Sequence, residues 1–257
     1  MNKELFEAKR VPPAEYEKEP FEFEQVDKII QEKPYVKEAL EEVRNIDEGV
    51  TLRHSMETAE MVASLADELH FSREEKKSLI IVALTHDVGK AFIERDVLIY
   101  KGEYDDKKRA EMVRHIRLSK NYLVEKGAPP EIWEIVVRHH EHKGEPRNSE
   151  NERRNNENVS EVIPENENDA EEARAEERRN GERRQEKPYY ERLARIFSIA
   201  DIFQATGDSA RPYNNHNEAL AIRDLELRRL SPLSPAEQKA IMFLRKNEEL
   251  KRRELKK

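Results

Sequence analysis

The sequence predicts an all-α protein organised around one buried helix whose polar end points into the interior. Three observations carry this reading. Few runs alternate apolar and polar residues with period two, whereas apolar residues recur at helical spacing along most of the chain. Only seven of the 257 residues are glycine. The stretch Leu79 to Lys90, LIIVALTHDVGK, is apolar on more than one face and then ends abruptly in His86, Asp87, Gly89 and Lys90, which places a helix mid-domain rather than on a surface.

Taken in order, residues 1–20 are polar and proline-bearing, and FEFEQVDKII and KPYVKEALEEV follow as short amphipathic helices, the second with Pro34 in its first turn. Residues 1–50 are expected to form a helical extension of the core domain. TLRHSMETAEMVASLADEL places Leu52, Met56 or Ala59, Val62 or Ala63, and Ala66 or Leu69 on one stripe, with His54 near its start. Ser72 and Glu75 form a capping box at the head of the central helix. Adjacent residues on a helix point about 100° apart, so His86 and Asp87 can share a site only at a helix end, and Gly89 is expected to supply that end.

AFIERDVLIYKGEYDD then reads as a connector with a tight turn at Lys101-Gly102. In the next helix Met112, Ile116, Leu118 or Ser119, and Leu123 are expected to mark the apolar face, with His115 beside it. Gly127 should close it as a left-handed cap, and Pro129-Pro130 prevents its continuation. Ile132, Trp133, Val136 and Val137 are core candidates of a further helix that closes in His139-His140. Residues 148–186 are so rich in Glu, Arg and Asn that they cannot bury a core of their own, and are expected to be a mobile insertion, with docking of a protein partner or a lid role as the alternative. Order should resume with Leu193, Ile196, Phe197, Ala200 and Phe203 on an apolar face that also holds Asp201. Helices starting near Asn215 and at the Ser234 to Glu237 cap complete the chain, residues 231–257 forming the C-terminal helix.

Composition narrows the chemistry. There is no apolar run of about 18 residues and no charged-then-apolar start, so a soluble cytoplasmic protein with no membrane contact is expected. The formal charge of -8 argues against a broad nucleic-acid-binding surface but leaves room for a small phosphate-binding cleft. With no cysteine, any transition metal must be held by imidazole and carboxylate.

The ends of five expected helices present His54, His86 with Asp87, His115, His139 with His140, and Asp201. Burying such groups is costly unless they pair or bind an ion. Donors of this kind suit iron or manganese, with Mg, Ni, Co or Zn as further candidates. Seven ligands exceed what one ion needs when it must also admit substrate, so two divalent metals are expected. Two cations about 3.5–4 Å apart can activate a shared water and clamp phosphoryl oxygens. Lys90 is placed to offset the charge developing on a non-bridging oxygen, and Arg211 is a candidate second phosphate contact.

This ordered set resembles the HD superfamily of metal-dependent phosphohydrolases, and within it the HD-GYP branch of cyclic di-guanylate phosphodiesterases. The resemblance spans roughly Thr51 to Pro146 and Tyr189 to Leu230 through RHS, ALTHDVGK, Arg114-His115, VVRHHE, ARIFSIAD and ARPY. It implies an HD-domain helical bundle over residues 51–230, interrupted by the insertion, with a dinuclear site in its core. It also implies one metal on His54, His86, Asp87 and Asp201 and another on Asp87, His115, His139 and His140, the Asp87 carboxylate bridging.

The departures are specific. The GYP segment is degenerate, reading His140-Glu141-His142-Lys143-Gly144-Glu145-Pro146, and Gln204 stands where the family has a second aspartate. Val50 stands where a third-metal glutamate is found in some members, which again gives two metals. These changes are expected around substrate recognition rather than at the metal core. The resulting expectation is a phosphodiesterase acting on a cyclic dinucleotide (cyclic di-GMP-like) or a related small nucleotide. The alternatives are a single-strand nuclease like the HD component of CRISPR interference, and a non-catalytic regulatory module that binds metal or nucleotide.

Overall fold

The computed structural model describes residues 21–100, 105–140, 188–207 and 216–254. The Lys101-Gly102 turn, the degenerate segment beyond His140, the 148–186 insertion and Arg211 with its ARPY motif lie outside the described residues. Among the described residues the structure is all-α, as expected. The helices are α1 (Phe21–Glu32), α2 (Pro34–Glu42), α3 (Val50–Glu68), α4 (Arg73–Thr85), α5 (Arg95–Leu98), α6 (Asp106–Glu125) and α7 (Pro130–Arg138). A helix over 188–207 (α8) follows, then α9 (His216–Arg229) and α10 (Pro235–Glu254). A 3-10 turn, Val88–Phe92, joins α4 to α5, so the expected connector is itself partly helical.

Helix α4 is the axis of the bundle, packing against α1, α2, α3 and α7. It starts as its cap predicts: the Glu75 amide donates to Ser72 Oγ at 3.2 Å, and the Ser72 amide donates to Glu75 Oε2 at 2.9 Å. Every residue from Leu79 to Thr85 is buried. Each fully buried Leu or Ile there contributes about 1.5–3 kcal/mol. Val26 of α1, Leu193 and Phe197 of α8, and Leu244 of α10 belong to the same hydrophobic core. The cap of α10 is also built as predicted, with the Ser234 amide on Glu237 Oε2 at 2.9 Å and the Glu237 amide on Ser234 Oγ at 3.3 Å. Arg195 of α8 ties into it, its Nε and Nη2 reaching the two Glu237 oxygens at 2.6 and 2.8 Å.

Two expectations about α6 and α7 hold in part: Ser119, Leu123, Ile132 and Val136 are buried as expected, and Trp133 packs against the core. On α6 the buried residues are His115, Ser119, Tyr122 and Leu123, while Met112, Ile116 and Leu118 are only partly buried. The buried stripe follows the two surfaces on which α6 packs, the 3-10 turn and α7. On α7 the inward residues are Ile132, Ile135 and Val136, with Trp133 and Val137 partly buried. Gly127 takes the left-handed conformation expected of the α6 cap, at φ 71°.

Candidate metal centre

Helix α4 ends at Thr85 and His86 is its cap. The backbone then leaves helical geometry at Asp87, at φ -98° and ψ 6°. That break brings neighbouring side chains together: His86 Nε2 lies 3.3 Å from Asp87 Oδ2. The helix therefore stops before Gly89, whose role is different from the one expected. A Cβ at Gly89 would lie 2.5 Å from the Ser119 amide nitrogen and 2.8 Å from Ser119 Oγ, with the His115 carbonyl closer still. Only glycine lets the turn approach the α6 backbone this closely. The Gly89 amide donates to Ser119 Oγ at 2.8 Å, and that hydroxyl donates to the His86 carbonyl at 2.6 Å.

Around this junction the structure gathers all seven histidines and aspartates singled out in the sequence. His54 Nε2, from α3, lies 3.3 Å from His86 Nε2 and 3.0 Å from Asp201 Oδ1 of α8. Asp87 Oδ2 is 3.8 Å from His54 Nε2, while Asp87 Oδ1 faces His115 Nε2 at 3.5 Å. Three sets converge with ligand atoms within 4.8 Å: His54, His86 and Asp87; His115, His139 and His140; and His86, His139 and Asp201. His139 thus reaches both halves of the cluster. Lys90 Nζ sits 2.5 Å from Asp87 Oδ2, so its cation is held at the cluster. Phe197 packs edge-on against His86 and His139, with ring centroids 5.1 and 5.7 Å away. His54, His86, Asp87 and His139 are buried, and solvent reaches the cluster at Asp201, Lys90 and His140.

Each of four histidines has its Nδ1 engaged. His86 Nδ1 donates to the Ala83 carbonyl at 3.0 Å and His115 Nδ1 to the Met112 carbonyl at 2.6 Å. His139 Nδ1 donates to the Val136 carbonyl, and His54 Nδ1 to Gln204 Oε1. These are the bonds that fix a ligand imidazole's tautomer and present Nε2.

The electrostatics agree with that tautomer pattern at His115 and His139, which are held neutral. Burial pushes the His115 pKa down to about 4, against the pull of Asp87. Burial, with His86 nearby, holds His139 well below its ordinary value. For Asp87 burial pushes upward, but His86 and Lys90 outweigh it and hold the carboxyl well below the usual range. Asp201 is likewise lowered against burial, chiefly by its hydrogen bond and charge interaction with His54. For His86 burial pushes downward, but the Asp87 and Asp201 carboxylates prevail and raise it. Ionised carboxylates and neutral imidazoles are the forms that bind metal.

The buried His115 Nε2 and His139 Nε2 have no hydrogen-bond partner. An unsatisfied buried polar atom costs about 1–3 kcal/mol, and a cation accepting these lone pairs removes that cost. The donor set therefore fits divalent metal.

Sequence reasoning passed over Glu57 and misplaced Gln204. Gln204 is buried on the His54 ring, not at a substrate-facing rim, because it lies one helical turn beyond Asp201 on the face that α8 turns towards the cluster. Its Nε2 donates to Glu57 Oε2 at 2.6 Å. Glu57 sits three residues after His54 on α3, a spacing that puts both on one face, and that was the available signal.

The fold and the cluster define a divalent-metal-binding site in the core of an all-α bundle. Residues 51–206 match the HD domain family, so this chain belongs to the HD family of metal-dependent phosphohydrolases. Comparisons with curated proteins and with solved structures gave no match. Among the described residues no helix is long and apolar enough to cross a membrane.

Proposed function

We propose that the protein is a dinuclear phosphodiesterase that hydrolyses a cyclic dinucleotide, cyclic di-GMP-like, or a related small nucleotide. The observation that carries this reading is the Asp87 carboxylate, with Oδ2 towards His54 and His86 and Oδ1 towards His115. A carboxylate addressed to two imidazole sets on its two oxygens is suited to bridging. His54, His86, Asp87 and Asp201 would hold one cation, and His115, His139 and His140 with Asp87 the other. Two such cations supply Lewis acidity, ionising a water at neutral pH and drawing charge from the phosphoryl oxygens.

The chain's own residues do the rest. Four imidazoles are anchored through Nδ1 and turn Nε2 to the cluster. Phe197 and the apolar end of α4 exclude water from the inner side. Lys90, partly exposed beside buried Asp87, brings a cation to the side where a phosphate oxygen would arrive, and Arg211 is proposed as a second phosphate contact. Iron or manganese best suits this nitrogen and oxygen set.

Metal analysis of anaerobically purified protein, paired with hydrolysis assays on cyclic dinucleotides and single-stranded DNA, tests the proposal. The expected result is about two metals per chain and cleavage of a cyclic dinucleotide that Asp87→Ala abolishes. Preferential, steeply salt-dependent cleavage of single-stranded DNA would replace it with the nuclease reading. Metal without turnover on any substrate would replace it with the regulatory module.

A further inference from the structure

We infer that Gln204 and Glu57 form a positioning relay that sets the tautomer of His54 and thereby the metal affinity of the centre. The inference rests on the metal-site reading above and adds two residues to it. The Gln204 amide has one acceptor and one donor end, and which end faces His54 decides the state of the ring. Glu57 decides that orientation. An ionised carboxylate can only accept, so it takes the Nε2 hydrogen of Gln204 at 2.6 Å and leaves Oε1 turned to His54 Nδ1. An acceptor there keeps a ring proton on Nδ1 and leaves Nε2, which faces Asp201, His86 and Asp87, as the nitrogen a metal would take.

With the amide reversed, its NH2 would face Nδ1. The proton would then move to Nε2 and block the ligand position. His86, His115 and His139 are set by backbone carbonyls, which cannot reverse. His54 alone among these four depends on a side chain, and that side chain depends on a second one at the surface. Gln204 is buried and Glu57 exposed, so the relay runs from the core to solvent.

The test measures zinc and manganese affinity of the full chain by competition with a chromophoric chelator. Imidazole 15N shifts of the zinc-loaded protein report which His54 nitrogen carries the proton. Gln204→Leu removes the acceptor and is expected to weaken metal binding roughly 10- to 100-fold. Glu57→Gln, at an exposed position where folding is not at stake, releases the amide and gives a smaller loss in the same direction. The double exchange Glu57→Gln with Gln204→Glu should restore affinity: a carboxylate at 204 accepts from Nδ1–H, and the amide at 57 donates to it. A packing role alone would not produce that recovery.

Affinity of Gln204→Leu and Glu57→Gln within about twofold of wild type, or no recovery in the double exchange, would overturn the relay. Wild-type protein that binds neither metal would instead overturn the metal-site reading beneath it.

Discussion

Ser119 holds His86 from another helix: its hydroxyl donates to the His86 carbonyl at 2.6 Å while accepting from the Gly89 amide at 2.8 Å. One hydroxyl on α6 thus satisfies both backbone groups on either side of Asp87, and it fixes the distance between the Asp87 carboxylate and His115. Ser119→Ala leaves a buried carbonyl and a buried amide unpartnered. It is expected to cost about 1–3 kcal/mol in chemical denaturation, with weaker metal binding. Gly89→Ala should be worse for the site, because the atoms it meets are α6 backbone that cannot move aside. A loss of about 1–3 kcal/mol, with metal affinity reduced, is the expected outcome. Wild-type stability in both variants would show that the turn does not depend on this contact.

Asp87 is the second point of test. Divalent metal that binds the folded state should raise the melting temperature with concentration, and chelation should lower it. Asp87→Asn keeps the volume but removes the charge shared between the two imidazole sets. The expected outcome is a large loss of the metal-dependent shift and of bound metal by elemental analysis. A retained shift in Asp87→Asn would show that Asp87 is not a ligand.

Phe197 links the core to the site. It is fully buried and packs on both His86 and His139. Phe197→Ala should cost about 3–5 kcal/mol of stability. Phe197→Leu should cost less, yet still loosen both rings and weaken metal binding. Calorimetry and chelator competition on the same samples separate the two effects.

Away from the site, Glu237 predicts a pH dependence. Burial pushes its pKa up, but the hydrogen bonds from Arg195 and Ser234 prevail and lower it from the ordinary 4.5. A carboxylate with a depressed folded-state pKa stabilises above its unfolded pKa and loses that contribution as pH falls through the folded value. Glu237→Gln should therefore be less stable than wild type at neutral pH, by about 1–3 kcal/mol for a charge-assisted pair. The gap should hold down to the ordinary glutamate range and close below it. Urea denaturation of both proteins across pH 3–7 measures the gap, and one that widens towards acid would contradict the assignment.

Much of this was legible before any packing was known. The Ser72 and Ser234 caps, the Pro34 start and the Gly127 stop are signals carried within a few residues, and each stands where the sequence places it. The residues of the cluster could be read too, because histidines and aspartates beside apolar helical runs have few bland explanations, although only His86-Asp87 and His139-His140 close a helix while His115 and Asp201 lie within α6 and α8.

The sequence by itself thus determined the helical class and the residues of the cluster, since periodicity, capping and donor chemistry are local properties. The tertiary structure decided how those residues are aimed. That Gln204 belongs to His54, across 150 positions, and that Gly89 is glycine for the sake of α6 rather than to end α4, follow from which helix surfaces meet. So does the rotation of α6 onto His115 and Ser119. Local spacing fixes which face of a helix a side chain occupies, but the partner for that face comes only from the packing of distant segments around α4.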